Sequence, residues 1–165
     1  MKSVVIMMLL GLLLAPQGEI GKVESSFDKK VNFAALRTYT WYVGYNAYNA
    51  EAHKLIVAAI EAEMASRGFT KVESGGDVRI AYYTVTGTDV DLKALDKLER
   101  EGAAGQPPLK ARARLVVLMR QTASNAQIWT ASMREYLDAD PAKLGATIET
   151  VTARLFATYP RKPGT

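Results

Sequence analysis

The sequence predicts an α+β fold: a two-layer sandwich in which two main helices cover one face of a mostly antiparallel sheet of about four strands. Three observations predict it. Thr38 to Val43, Asp77 to Val85 and Leu109 to Gln121 are rich in β-branched and aromatic residues or alternate apolar with polar, as half-buried strands do. The stretches between Asn49 and Arg67 and between Asp140 and Tyr159 repeat apolar residues every three or four positions, the period of a helix with one buried face. Gly75-Gly76 and Thr122-Ala123-Ser124-Asn125 supply the turn chemistry that separates the strands.

The N-terminus has a different character. Lys2 precedes an apolar run from Val4 to Leu14 broken only by Gly11, and Ala15-Pro16-Gln17-Gly18 follows. That is the layout of a secretory signal peptide. The run has about a dozen residues where a spanning helix needs about 20. Residues 1–18 are therefore expected to be removed on export, near Ala15 or Gly18, leaving the mature chain free in the periplasm. Retention of the segment would instead tether the protein to the inner membrane.

Residues 22–160 read as a single domain. Val23 to Phe27 is a short extended segment, and Asp28 to Leu36 is a turn or bulge before the strand at Thr38. Asn49 is the expected N-cap of the first helix, whose stripe is Leu55, Ile56, Ala59, Ile60 and Met64. Arg67-Gly68-Phe69 predicts its stop, with Gly68 in the left-handed C′ conformation and Phe69 folding back as the C″ residue of a Schellman motif. In the next strand Val78, Ile80 and Tyr82 share one face.

Residues 87–108 read as an excursion from the sheet. Asp89 is the expected cap of a short helix carrying Leu92, Leu95 and Leu98, and Gly102 to Pro108 is a helix-breaking linker. Leu109 to Gln121 then places Leu109, Ala111, Ala113, Leu115, Val117 and Met119 on one face. Lys110, Arg112, Arg114 and Arg120 lie on the other, beside Val116 and Leu118. The turn at 122–125 predicts an antiparallel hairpin with Gln127 to Met133. Asp140 as N-cap and Pro141 at the first helical position open the closing helix, with Leu144, Ile148, Val151 and Leu155 buried. Residues 161–165 are expected to form a loose tail.

The chain has no cysteine, which removes thiol nucleophiles, thiolate metal sites and disulfides. The net charge of +4 becomes +3 without residues 1–18, because Lys2 is their only charge. The remaining charges are scattered, so no nucleic-acid partner is expected.

Taken in order, several of these landmarks resemble those of small bacterial envelope proteins, often lipoproteins, grouped as domain of unknown function 4136. The resemblance rests on Val23 to Asp28, Asn32-Phe33, Leu36-Arg37-Thr38-Tyr39 with Trp41, Arg67-Gly68-Phe69, Asp77-Val78 with Ile80 and Tyr82, Ile128-Trp129, and Tyr159-Pro160. It implies an envelope location and an α+β fold, and no activity, substrate or catalytic residue. Many members carry a lipid-modified cysteine after the leader; this chain has none to modify.

No catalytic, cofactor or metal residue is predicted. His53, the single histidine, reads as an exposed helical residue, and no Gly-x-Ser-x-Gly elbow or phosphate loop is present. Asp89, Asp91 and Asp96 lack the spacing of a calcium loop and read as helix caps and dipole partners. Tyr39, Trp41, Tyr42, Tyr45, Tyr48, Tyr82, Tyr83 and Trp129 read as core and rim residues rather than a ligand groove. The one candidate site is the row Lys110, Arg112 and Arg114, spaced about 7 Å along one strand face, which suits an anionic polymer or lipid. The expected function is therefore noncatalytic binding of a ligand or envelope partner in the periplasm. The alternatives are an enzyme, a hydrolase or transferase with an unrecognised site, or a structural subunit of an envelope assembly.

Overall fold

A computed structural model describes residues 19–42, 47, 49–102, 105–138, 140–161 and 164. The leader, Val43, Tyr45, Tyr48 and residues 162, 163 and 165 of the tail lie outside the described residues. The strand-forming stretches build one sheet from β1 (Val23–Phe27), β2 (Thr38–Trp41), β3 (Thr70–Lys71), β4 (Val78–Val90), β5 (Leu109–Gln121) and β6 (Gln127–Tyr136). Its spatial order is β1-β6-β5-β4-β2-β3. Among the described residues three α-helices accompany it: α1 (Ala50–Ser66), α2 (Leu92–Arg100) and α3 (Leu144–Phe156).

The fold is α+β, but the sheet is mixed and has six strands rather than about four. β1, β6, β5 and β4 pair antiparallel, whereas β2 runs parallel to both β4 and β3. The physical reason is α1. A helix-length connection returns the chain to the starting edge of the sheet, as parallel neighbours require and a tight turn cannot provide. The two strands beyond the expected four are β1 and β3, edge strands with little apolar alternation: only Val23 of β1 is half-buried, and both residues of β3 are exposed.

Several local expectations also shift, among them the end of the last strand, which runs past Met133 to Tyr136. β4 continues to Val90 because it stays paired with β5 out to Leu109. Asp91, not Asp89, therefore caps α2, its Oδ1 accepting the Lys93 and Ala94 N–H groups at 3.2 and 3.1 Å. The turn at 28–36 contains a 3-10 helix, Phe33–Ala35, that buries Phe33. Asp140 and Pro141 open a 3-10 turn, Pro141–Lys143, and α3 begins only at Leu144.

α1 and α3 pack on the same sheet face around one core. Ile56, Ala59, Ile60 and Met64 of α1 and Ile148, Val151 and Leu155 of α3 are buried, with Thr152 and Phe156 added to the α3 stripe. Leu55 and Leu144 are half-buried at its margin. α1 starts at Asn49, whose side chain accepts the Glu51 and Ala52 N–H groups, and stops in the expected Schellman motif. There Phe69 N–H donates to Met64 O at 3.1 Å and Gly68 N–H to Ala65 O at 2.9 Å, with Gly68 at φ +74°.

The family-like residues form the struts of the fold. Asp77 Oδ2 accepts the Arg37 and Thr38 N–H groups at 2.8 and 2.9 Å and the Thr38 hydroxyl at 3.0 Å, fixing β2 to the entry of β4. Gly76 lets that entry approach closely, since a Cβ there would stand 2.8 Å from the Tyr39 carbonyl carbon. Arg67 is buried, donates to Phe156 O at 2.9 Å and lies over the Phe156 ring, which pins the C-terminal ends of α1 and α3 together. Arg161 reaches Leu36 O at 2.8 Å.

Candidate functional site

The covered sheet face changes in bulk from one end to the other. Its rungs run Ile80, Met119, Trp129; then Tyr82, Val117, Ala131; then Thr84, Leu115, Met133; and finally Thr86, Ala113, Glu135. At the first rung the C-terminal ends of α1 and α3 are filled by aromatic rings. Trp129 packs on Phe156 and Tyr159 with centroids 5.1 and 5.3 Å apart, and Tyr159 meets Phe33 edge to face at 5.3 Å. Burial holds the Tyr159 hydroxyl protonated far above the ordinary tyrosine range, against the nearby Arg161 and Arg67 charges.

At the last rungs the side chains are too small to fill the space beneath two helices. α1 and α3 run in the same direction, so their N-terminal halves lie together over Thr84, Thr86 and Ala113. Between these layers opens a cleft of about 290 Å³, close to the lower bound of roughly 300 Å³ typical of small-molecule pockets. Ala52 and Ile56 of α1 form one wall and Leu144 and Ile148 of α3 the other. The lining is mostly apolar.

Among its polar residues, Glu135 is a half-buried carboxylate. This side chain lies on the covered face of β6 where the alternation of Trp129, Ala131 and Met133 calls for an apolar residue. One carboxylate oxygen accepts the Tyr136 N–H at 3.0 Å, and the other makes no hydrogen bond among the described residues. Asp138 stands at the rim. Its carboxyl is held below the ordinary aspartate range by the Asp140 N–H group and by Lys143.

The other candidates fall elsewhere. His53 Nδ1 is 2.5 Å from the Tyr82 hydroxyl, which also accepts the Ala47 N–H at 3.1 Å. Among the described residues no serine or carboxylate hydrogen-bonds to His53, so it forms no nucleophile-base pair. Trp41 donates to Glu61 at 2.8 Å, and Lys71 pairs with the same oxygen at 2.6 Å. Burial alone would raise the Glu61 pKa, but these two hydrogen bonds and the Lys71 charge lower it. Burial together with that carboxylate pushes the Tyr39 phenol up to about 12.

Asp89, Asp91 and Asp96 are each engaged separately, with Arg112, the α2 cap and Arg100, and no cluster of three metal-ligating side chains occurs among the described residues. Tyr39, Tyr82 and Trp129 are core residues, Trp41 and Tyr83 are half-buried, and Tyr42 is exposed. None of these aromatics lines the cleft. The basic row Lys110, Arg112, Arg114 sits on the opposite, helix-free sheet face, where Asp89, Glu24 and the Tyr136 ring engage it.

Two of the solved structures that share the fold illustrate it. One is a PDZ domain protein from Parabacteroides distasonis, at 14% identity and a TM-score of 0.60, with 85% of this chain and 35% of that chain aligned. This chain thus spans about a third of that protein's length. The other is the PelC dodecamer from Paraburkholderia phytofirmans, at 9% identity and a TM-score of 0.54, aligned over 83% of this chain and 97% of that one. No curated protein matches by sequence. The strut residues Thr38, Arg67 to Phe69, Asp77 and Trp129 all fall within residues 23–161, the span matched by the profile of the Domain of unknown function (DUF4136) family, and the chain belongs to that family.

Proposed function

We propose that this is an exported, noncatalytic binding domain of the cell envelope that holds a mainly apolar small molecule in the cleft between α1, α3 and the sheet. The observation that carries the reading is the cleft itself: apolar walls converge on one half-buried carboxylate, the usual composition of a ligand pocket. Apolar walls of this kind favour a ligand that leaves water, and Glu135 favours one bearing a hydrogen-bond donor or a positive group. The leader of residues 1–18 supports export, and the absence of a nucleophile-base pair among the described residues supports binding without chemistry.

Titration with N-phenyl-1-naphthylamine, an uncharged apolar fluorophore, tests this directly. The wild-type chain is expected to give saturable fluorescence enhancement, and Ala113→Trp, which fills the cleft, to abolish it while keeping a cooperative thermal transition. Undiminished binding by the folded Ala113→Trp protein would refute the cleft as the site.

A further inference from the structure

The helix-free face of the sheet carries a second feature, independent of the cleft. Its rungs include Arg79 with Arg120, and Arg114 with Arg134, each pair directly opposite across neighbouring strands. Like charges in that position have Cβ atoms about 4.5–5.5 Å apart and disfavour folding. The two pairs are treated differently. Arg79 donates to Asn125 Oδ1 at 2.7 Å and Arg120 to Asn125 O at 2.9 Å, so the β5–β6 turn gives both guanidinium groups a shared partner, although Arg79 Nε is itself buried and unpartnered.

Arg114 and Arg134 have no such partner in common. Among the described residues Arg114 reaches only Glu24, at 3.4 Å, and Glu24 is an exposed residue on the edge strand β1. Arg134 forms no side-chain hydrogen bond or ion pair among the described residues, and its Nε is buried and unpartnered. The neighbouring cations of the row are already committed. Arg112 lies over Gly87 and binds Asp89 at 2.8 Å, and Lys110 sits 4.3 Å from the Tyr136 ring centre.

We propose that Arg114 and Arg134 form a binding site for a phosphate-class oxyanion on the uncovered sheet face. Two guanidinium forks presented side by side match the several oxygens of such a group, and a doubly negative ligand converts their mutual repulsion into attraction. A bound oxyanion competes with the 3.4 Å Glu24 ion pair for Arg114. The site replaces the three-residue row expected from sequence: it keeps Arg114, adds Arg134 from the next strand, and leaves Lys110 and Arg112 as its flank.

The test is thermal unfolding of the full chain with inorganic phosphate, against sodium chloride at matched ionic strength. Phosphate is expected to raise the wild-type Tm more than chloride does. Arg134→Gln and Arg114→Gln, each relieving the like-charge pair, are expected to start from a higher Tm, to lose the phosphate increment and to bind at least about tenfold more weakly. Cosedimentation with equimolar phosphatidylglycerol and phosphatidylcholine vesicles, compared with phosphatidylcholine alone, separates the sources. Binding to the anionic vesicles that is lost in both variants assigns the oxyanion to a lipid headgroup, whereas a phosphate increment without vesicle binding assigns it to a soluble ligand. A response equal in phosphate and chloride together with no vesicle binding, or phosphate or vesicle binding retained by both variants, would overturn the proposal.

Discussion

The two ends of the helix layer are built to opposite specifications. Where α1 and α3 terminate, Trp129, Phe156, Tyr159, Phe69 and Phe33 interlock and two buried arginines tie helix ends and loops together. Where they begin, threonine and alanine replace those rings and a cleft remains, beyond which β4 and β5 run on into a hairpin with exposed Val90, Leu92 and Leu109. One end holds the fold while the other is left open to bind. Tight packing at the first end is what lets the second tolerate an unfilled space, since stability need only be supplied once.

The comparison breaks most visibly by mutation. Phe156→Ala removes a fully buried ring from the closed end and is expected to cost about 3–5 kcal/mol, a large share of a typical stability of about 5–15 kcal/mol. Leu92→Ser, beyond the open end and 72% exposed, is expected to change stability by less than about 0.5 kcal/mol. Urea unfolding measures both, and similar losses would erase the distinction.

A smaller effect sharpens the same contrast through pH. The Arg37 and Thr38 N–H groups, with the Thr38 hydroxyl and the Arg37 charge, hold the Asp77 carboxyl below the ordinary aspartate range. A carboxylate whose folded pKa is lowered adds stability that is complete above its unfolded value of about 3.9 and is lost as the pH falls through the lower folded value. Asp77→Asn is therefore expected to cost about 1 kcal/mol at neutral pH, a cost that shrinks progressively below about pH 4. Urea midpoints of both proteins measured across that range check it; a difference constant with pH would remove Asp77 as a strut.

Much of the framework was legible in the sequence, because its signals are local. Gly68 and Phe69 announce the Schellman stop, Asn49 the N-cap, and the alternation of Leu115, Val117 and Met119 the buried strand face. The parallel placement of β2 was not, since strand, helix, strand reads the same in sequence whether the helix crosses over or merely packs. The cleft was missed for a different reason. Ending the last strand at Met133 hid Glu135, the one charged residue on its covered face, although a carboxylate at a core-facing position was the available signal. Arg134 was hidden by the same truncation, so its pairing with Arg114 emerged only from the register.

Residue-resolved hydrogen exchange, with and without N-phenyl-1-naphthylamine, tests the division of labour most directly. Without the probe, amides of Val78 to Tyr82, Val117 to Met119 and Ile60 to Met64 are expected to exchange only by global unfolding, and those of Thr84 to Val90, Leu109 to Ala113 and α2 much sooner. The probe is expected to slow exchange around Ala52 to Ile56, Thr84 to Thr86 and Leu144 to Ile148 by more than any stabilisation of the closed end. Equal protection at both ends without probe, or a probe effect centred on the Trp129 cluster, would contradict the account.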